Sequence, residues 1–293
     1  MSANPQISII IPTWNNLEFL KLSVASIVLH TKLPFQLVLH VNDGSDGTLQ
    51  WVQDQNLEHT CTHRNVGICQ ALNLAAERCR AEYIAYLNDD MYVLPGWDLP
   101  LYEFLSSFGD KEPSYVAGTM IQENPISPAA LPFDYGADPQ SFQEDRLLAD
   151  FHKGRFVIKD WNGATWPPSL IHRKWWDLVN GYSAEFSPGF YSDIDFSMKL
   201  WAIGCRTFCG SGSSLVYHFS ETTTSFVRGP RRRSVKQARV QFLKKWGILP
   251  SAFIRYYLRA GEEFIAPLND PDWGEVKWER IRTAVLSAIY ALA

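Results

Sequence analysis

The sequence predicts an α/β protein: a doubly wound, mostly parallel sheet flanked by helices. Three observations carry this. Short apolar runs of strand length, rich in β-branched residues, recur from Ile7 onward. Stretches with helical spacing separate them, and strands that alternate with helices pair in parallel through crossovers. Acids and turn residues follow the strand-like runs, at the carboxyl ends where such sheets bind ligands.

In chain order, ISIII (7–11) reads as a buried strand closed by Pro12. From Asn16 to about His30, Leu17, Leu20, Val24, Ile27 and Val28 share a helical face, with Asn15 or Asn16 as N-cap. FQLVLHV (35–41) is a second strand, ended by the turn residues NDGSDGT. A short helix over 48–54 and a weak strand near 57–62 follow. The next helix spans 66–80, with Ile68, Leu72, Ala75 and Cys79 on one side. The strand 83–87 then delivers two adjacent carboxylates, Asp89 and Asp90. Such neighbours repel each other and lose solvation unless they face water or a cation. A polar turn before Pro95-Gly96 is one reading and a ligand edge is the other. Asp43 follows the second strand and Asp89 the fourth, on the same predicted edge, which favours the ligand.

Periodicity is poor from 122 to about 158, where Pro125, Pro128, Pro132 and Pro139 interrupt it; this is a long excursion within one domain. Arg173 to Val179 reads as a helix stopped by Asn180-Gly181, and 192–205 as a helix with Ile194, Met198 and Trp201 on one face. SSLVYHF (213–219) is strand-like and carries His218, either a core histidine or a ligand. Between Glu221 and Glu262 there is no acid, yet Arg228, Arg231, Arg232, Arg233, Lys236, Arg239, Lys244, Lys245, Arg255 and Arg259 all occur. That run is a solvated helix face or an attractor for a diphosphate, a lipid phosphate or a membrane surface. Ile281, Val285, Ala288 and Ile289 form a stripe on a terminal helix that is expected to dock onto the body of the protein.

Composition narrows the function classes. The chain has 293 residues, 46% hydrophobic and 20% charged, which is globular rather than disordered. A formal charge of −4 argues against a general nucleic-acid partner. Cys61, Cys69, Cys79, Cys205 and Cys209 lack paired spacing, so free thiols in a reducing cytoplasm are expected, with neither disulfides nor a zinc site. The N-terminal residues lack a signal-peptide pattern and no window is long and apolar enough to span a membrane. Aromatic residues are the unusual feature, at 14%. Trp161, Trp166, Phe186, Phe190 and Tyr191 cluster in loop-like stretches, as core or as platforms for sugar rings.

In their order and spacing, ISIIIPTWNN, VNDGSDGT, RNVGICQALNLAAERCRAEYIAYLNDD, NGATWPPSLIHRKWWDLVNGY and YSDIDFSMKLWAIG resemble the family 2 glycosyltransferases of the GT-A fold. The resemblance covers residues 6 to 220. It implies a glycosyltransferase domain over 1–220, with a nucleotide-binding half (1–121) and an acceptor and catalytic half (122–220). A basic, mainly helical extension (221–293) would pack on the same domain. It implies that Asp43 recognises the base of a nucleotide-diphospho-sugar, with Pro12, Thr13, Arg64 and Asn65 lining that pocket. UDP is the first expectation for the nucleotide, with dTDP and GDP as alternatives. The family's DxD element falls on Asn88-Asp89-Asp90. Asp90 would hold a divalent metal, Mn²⁺ or Mg²⁺, and Asp89 the ribose or metal-bound water. Asn88 departs from the usual Asp and removes one charge beside the metal. SDIDF matches the family's catalytic element, with Ser192 where a Glu is usual; Asp193 is the implied base of an inverting transfer and Asp195 a structural acid.

By the same resemblance His218 is a further metal or phosphate ligand; from charge and position alone, Arg228 with Arg231 to Arg233 are expected in a mobile loop over the diphosphate. Asn162 and Gly163 lie against the nucleotide sugar, and Trp161, Trp166, Phe190 and Tyr191 meet a saccharide or lipid-linked acceptor. Peripheral membrane contact through the basic C-terminal region is the remaining expectation. A nucleotidyltransferase would need a glycine-rich basic loop after the first strand, which IIPTWNNLEF lacks. A non-catalytic nucleotide- or glycan-binding relative is the alternative, and retention of Asp90 and Asp193 speaks against it.

Overall fold

The computed structural model describes residues 4–125, 129–219 and 228–291, with the side chains of 228–232, 280, 284 and 287–291 outside the description. The first half follows the sequence pattern. Strands β1 (Ile7–Trp14), β2 (Phe35–Asn42), β3 (Glu58–Thr62) and β4 (Tyr83–Tyr86) alternate with helices α1 (Leu17–His30), α2 (Thr48–Asp54) and α3 (Ile68–Ala76). They pair in parallel in the order β3-β2-β1-β4. β1 runs through Pro12, which opposes His40 of β2 but lies past the residues that pair with β4. A proline there costs no ladder bond on that side, so the strand continues to Trp14. α1 buries Leu20, Val24 and Ile27, while Val28 points to solvent.

The second half is less regular. β5 (Met91–Val93), α4 (Asp98–Phe108) and β6 (Ser114–Gln122) follow the acids. Next come β7 (Leu131–Pro132), α5 (Glu144–His152), β8 (Trp161–Asn162), β9 (Ser169–His172) and α6 (Arg173–Leu178). α7 (Ser192–Ala202) and β10 (Thr207–His218) complete the sheet, in the order β3-β2-β1-β4-β9-β6-β10-β5. β9 enters antiparallel between β4 and β6, while β10 is parallel to β6. The sheet is therefore mixed beyond β4. The carboxyl ends of β1, β2, β4, β6 and β10 still share one edge, because two antiparallel steps restore the direction.

Alternation on β1 sends Ile7, Ile9 and Ile11 to one face, with α1 and α4, and Ile10 to the other. Full burial of each such side chain contributes about 2 kcal/mol. The excursion after Gln122 packs as an aromatic cluster of Tyr92, Tyr135, Phe142, Phe156, Tyr217 and Phe219. α8 (Arg228–Trp246), α9 (Pro250–Ala252) with the π-turn that follows it, and α10 (Trp273–Ala291) form the C-terminal region. Phe242, Phe253, Leu258 and Leu268 enter the same core as α3, α6 and α7. All five cysteines are free thiols.

Candidate active site

The shared strand edge collects the acids. After β2 the chain must turn sharply, and Asp43 (φ 64°) and Gly44 (φ 74°) both take left-handed backbone. A Cβ on Gly44 would stand 2.9 Å from Leu49 and Val41 side-chain atoms, so only glycine fits there. The amide of Asn15 (3.2 Å) and the hydroxyl of Ser45 (3.2 Å) both donate to Asp43 Oδ2, which leaves Oδ1 without a hydrogen-bond partner among the described residues. Asp46 caps two helices: its carboxylate accepts the Leu17 N–H at 3.0 Å and the Thr48 N–H at 3.1 Å. Asn16 is thereby relieved of capping α1.

Thr62 donates to Asn42 Oδ1 at 3.3 Å, and the Val66 N–H donates to the same oxygen at 3.0 Å. These bonds tie the 62–67 loop to the end of β2. On that loop Arg64 and Asn65 are exposed, and Asn65 Oδ1 accepts the Gly67 N–H at 2.8 Å. Trp14, 45% exposed at the end of β1, opposes Asn42 in the register with β2; a strand that ends at Pro12 gives no sign of it.

Asp89 and Asp90 are buried just past β4. Burial first, and the Asp90 charge second, push the Asp89 carboxyl up to about 7; Thr13 and Asn16 beside it offset part of this. Among the described residues neither Thr13 Oγ1 nor Asn16 Nδ2 makes a hydrogen bond of normal geometry, though both are buried, and Asp90 Oδ1 is likewise without one. Antiparallel pairing of β5 with β10 sets Met91 opposite His218 and brings His218 Nε2 to 3.3 Å from Asp90 Oδ1. Gln122 Oε1 lies 2.9 Å from His218 Nδ1 and fixes the ring. Burial alone would lower the His218 pKa, but Asp90 and Asp89 together more than reverse it. Asn88 faces another way: its Oδ1 accepts the Tyr86 hydroxyl at 2.7 Å.

Mn²⁺ or Mg²⁺ suits this donor set. Among the described residues no three His, Cys, Asp or Glu side chains gather into a closed cage. Such hard cations are commonly held by one or two carboxylates plus substrate phosphates, and Asp90 offers an orphaned buried oxygen with His218 beside it.

The second acid group sits at the start of α7. Tyr191 (φ 62°) turns the chain into the helix. The Tyr182 hydroxyl donates to Asp193 Oδ1 at 3.1 Å, and burial pushes the Asp193 carboxyl up to about 7. Asn73 of α3 clamps the Tyr182 backbone, donating to its carbonyl and accepting its N–H, both at 2.8 Å. Tyr86 lies between the two acid groups: burial first, then Asp193 and more weakly Asp90, hold its phenol protonated. Asp195 is fully buried and satisfied by the Trp246 indole N–H at 2.7 Å and Lys245 Nζ at 2.9 Å. It locks α8 onto α7.

Several sequence expectations need correction. Asn162 is fully buried, and its amide serves the backbone of the 261–265 segment, donating to Glu263 O at 3.1 Å and accepting the Ile265 N–H at 3.0 Å. Gly163 (φ 91°) is pressed against Ala260, 2.6 Å from where its Cβ would be. Trp161 is core: its indole donates to Thr119 Oγ1 at 2.9 Å and its ring fills the space above Gly210. By the β6 register, Gly210 opposes Ala117 and Tyr217 opposes Ile121, so this trio lies on the order of 15 Å from His218 along the sheet. Phe190, Tyr191 and Trp166 are half-buried, the first two next to Asp193 in the chain. Arg228 to Arg233 begin a helix rather than a loop, residues 220–227 before them lie outside the described residues, and so do the side chains of Arg228, Arg231 and Arg232.

Residues 8–122 match the family described as Glycosyl transferase family 2. The uncharacterized protein y4gI of Sinorhizobium fredii is 25% identical over 259 residues, covering 84% of this chain and 28% of that protein. The O-antigen biosynthesis protein RfbC of Myxococcus xanthus is 24% identical over 228 residues, 74% of this chain and 17% of its own length. The chain thus spans less than a third of either curated relative. Among solved structures, TarS 1-349 of S. aureus superposes with a TM-score of 0.53 at 14% identity, over 81% of this chain and 65% of that one. The same fragment in complex with UDP-GlcNAc gives 0.54 at 15% identity, covering 81% and 66%. The family match thus covers the strand edge that carries Asp43, Asp89 and Asp90, and the superposition on TarS shows a shared fold.

Proposed function

We propose that this protein transfers a sugar from a nucleotide-diphospho-sugar to a hydroxyl of a saccharide or lipid-linked acceptor, with inversion and with the help of a divalent cation. One observation carries the reading: Asp43, Asp89, Asp90 and His218 meet on one sheet edge among buried polar atoms that have no partner among the described residues, and Tyr86 links that edge to Asp193. Orphaned buried groups are costly, and a bound ligand that satisfies them removes the cost.

The free oxygen of Asp43 accepts an N–H of the base, and the exposed indole of Trp14 offers a stacking face. The UDP-GlcNAc complex of TarS supports a uridine nucleotide first, with dTDP and GDP as alternatives. Thr13, Asn16 and Asp89 serve the ribose and diphosphate region. Asp90 and His218 would hold Mn²⁺ or Mg²⁺, which when bound neutralises charge on the leaving diphosphate. Asp193 takes the acceptor hydroxyl's proton as its oxygen bonds to the anomeric carbon. The bond from that carbon to the diphosphate oxygen breaks, and the nucleotide departs with the electron pair. Phe190, Tyr191 and Trp166 remain as the acceptor-facing aromatics, while Trp161, Asn162 and Gly163 support the scaffold.

A thermal-shift panel with UDP, dTDP, GDP and CDP, each with and without Mn²⁺, tests this. One nucleotide should raise the melting temperature in a metal-dependent manner, and the shift should vanish in Asp90→Ala. No shift with any nucleotide would overturn the reading.

A further inference from the structure

We propose that the outward face of α8 and α10 docks this protein onto the surface of an anionic bilayer. The two helices meet the body and each other through their inner faces. α8 buries Phe242 and Leu243, and Leu286 of α10 packs with Leu243, Leu249 and Ala252. α10 also buries Val276 and Thr283. Its opposite face holds Trp278 (76% exposed), Ile281 (47%) and Val285 (54%), spaced as one helical stripe. Ile281 and Val285, expected to dock inward, therefore turn outward, while the side chains of Ala288 and Ile289 lie outside the description. Lys277 sits between two exposed indoles, its Nζ 5.5 Å from the Trp273 ring centroid and 6.0 Å from that of Trp278.

On α8 the outward positions are cationic. Arg233, Lys236 and Lys244 share one exposed face and make no ion pair among the described residues. α8 contains no acid, and both acids of α10 are paired, Glu275 with Arg259 at 3.7 Å and Glu279 with Arg282 at 3.3 Å. Two helices packed against each other thus expose, on α8, cations unpaired among the described residues and, on α10, an apolar strip bordered by Trp and Lys, together the composition of an interfacial helix. No described helix is long and apolar enough to cross a membrane, so the contact is at the surface.

Other occupants fit less well. Nucleic acid would use the cations but would gain nothing from Ile281 and Val285. An isologous dimer would cover the strip but would set each cationic stripe against its own copy. A bilayer with anionic headgroups satisfies both elements at once. The inference does not depend on the catalytic reading, and its readout is binding alone.

Co-sedimentation of the full chain with vesicles tests it. Vesicles of phosphatidylcholine with phosphatidylglycerol should pellet the protein, pure phosphatidylcholine vesicles should not, and added salt should weaken the binding. Replacing Arg233, Lys236 and Lys244 together by Gln should reduce partitioning by roughly tenfold or more. Trp278→Ser with Ile281→Ser should abolish what binding persists at high salt. These positions are exposed, so the melting temperature of each variant should match wild type; Val157→Ser, an exposed apolar change elsewhere, is the control. Failure to pellet, or equal pelleting of the variants and wild type, would overturn the proposal. So would a concentration-dependent dimer, seen by analytical ultracentrifugation, that the Trp278 and Ile281 changes dissolve.

Discussion

Two acid pairs face each other across Tyr86, and they are built by opposite means. Past β4, Asp89 and Asp90 are buried with little protein compensation: a histidine at 3.3 Å, two donors that miss good geometry, and an orphaned carboxylate oxygen. At the start of α7, Asp195 is buried with full compensation from Lys245 and Trp246, while Asp193, two residues earlier, has Tyr182 as its one side-chain partner among the described residues. Burial without compensation is sustained only where a ligand completes the site, and burial with compensation fastens helices. Degree of satisfaction, more than proximity in sequence, separates the acids proposed to act from the acid that holds.

Asp193→Asn gives the largest effect. Loss of the base should reduce turnover by about 10²- to 10⁴-fold while the nucleotide-dependent thermal shift persists. Stability should move the other way. The Asp193 carboxyl is raised to about 7 from 3.8, so between those values the folded chain binds the proton more tightly than the unfolded chain. Wild-type stability therefore falls as pH rises through that window, and the Asn variant should melt progressively higher than wild type from pH 4 to pH 8. Activity of the wild type should rise as pH passes about 7. Unchanged turnover in Asp193→Asn would put the base elsewhere.

Asp195→Ala tests the holding role. Removing a buried ion partner costs about 3 kcal/mol, taken at the low end because Lys245 keeps Glu185 at 2.9 Å. For a chain of this size, that lowers the melting temperature by roughly 6 °C. At temperatures where the variant is folded, nucleotide binding should be retained. A variant that melts like wild type but loses turnover would reverse the assignment of the two acids.

Much of this contrast is legible in the sequence, and the remainder has physical reasons for being hidden. Strand and helix periods mark β1 to β4 and α1 to α3, because each element buries one regular face against the sheet. The same order brings Asp43, Asp89, Asp90 and His218 to one edge once parallel pairing is assumed. Trp161 and Asn162 mislead because two-residue β8 is too short to show a period. The signal for Trp161 lies far away in the chain, in Gly210, whose missing side chain makes room for the indole. β9 is hidden for a related reason: a short antiparallel strand is inserted from a later segment, and no local pattern announces its neighbours. On α10 the pattern marks an apolar stripe at Ile281 and Val285 but cannot say which stripe meets the body; Val276 and Leu286 take that place.

The finest test of the contrast is Tyr182→Phe, which removes the larger of the two hydrogen bonds that favour the charged Asp193, the other coming from its own backbone. A hydrogen bond donated to a charged carboxylate contributes about 1.5 to 3 kcal/mol, so its loss should raise the Asp193 pKa by about one unit or more. Near pH 7 turnover should then fall several-fold, recover as the solution is made more alkaline, and leave the KM for donor unchanged. The other titratable groups facing Asp193 are Cys69 on α3, Tyr86 on β4 and Tyr115 on β6, and burial first of all holds each of them protonated well above neutral. None of them changes charge in that range, so a displaced acidic limb in the pH–rate profile belongs to Asp193. Phe keeps the stacked contact that the Tyr182 ring makes with Phe196, whose centroids are 4.6 Å apart, and the Asn73 clamp holds only backbone. Packing is therefore conserved, and a limb that does not move would leave Tyr182 as a packing residue and Asp193 tuned chiefly by burial.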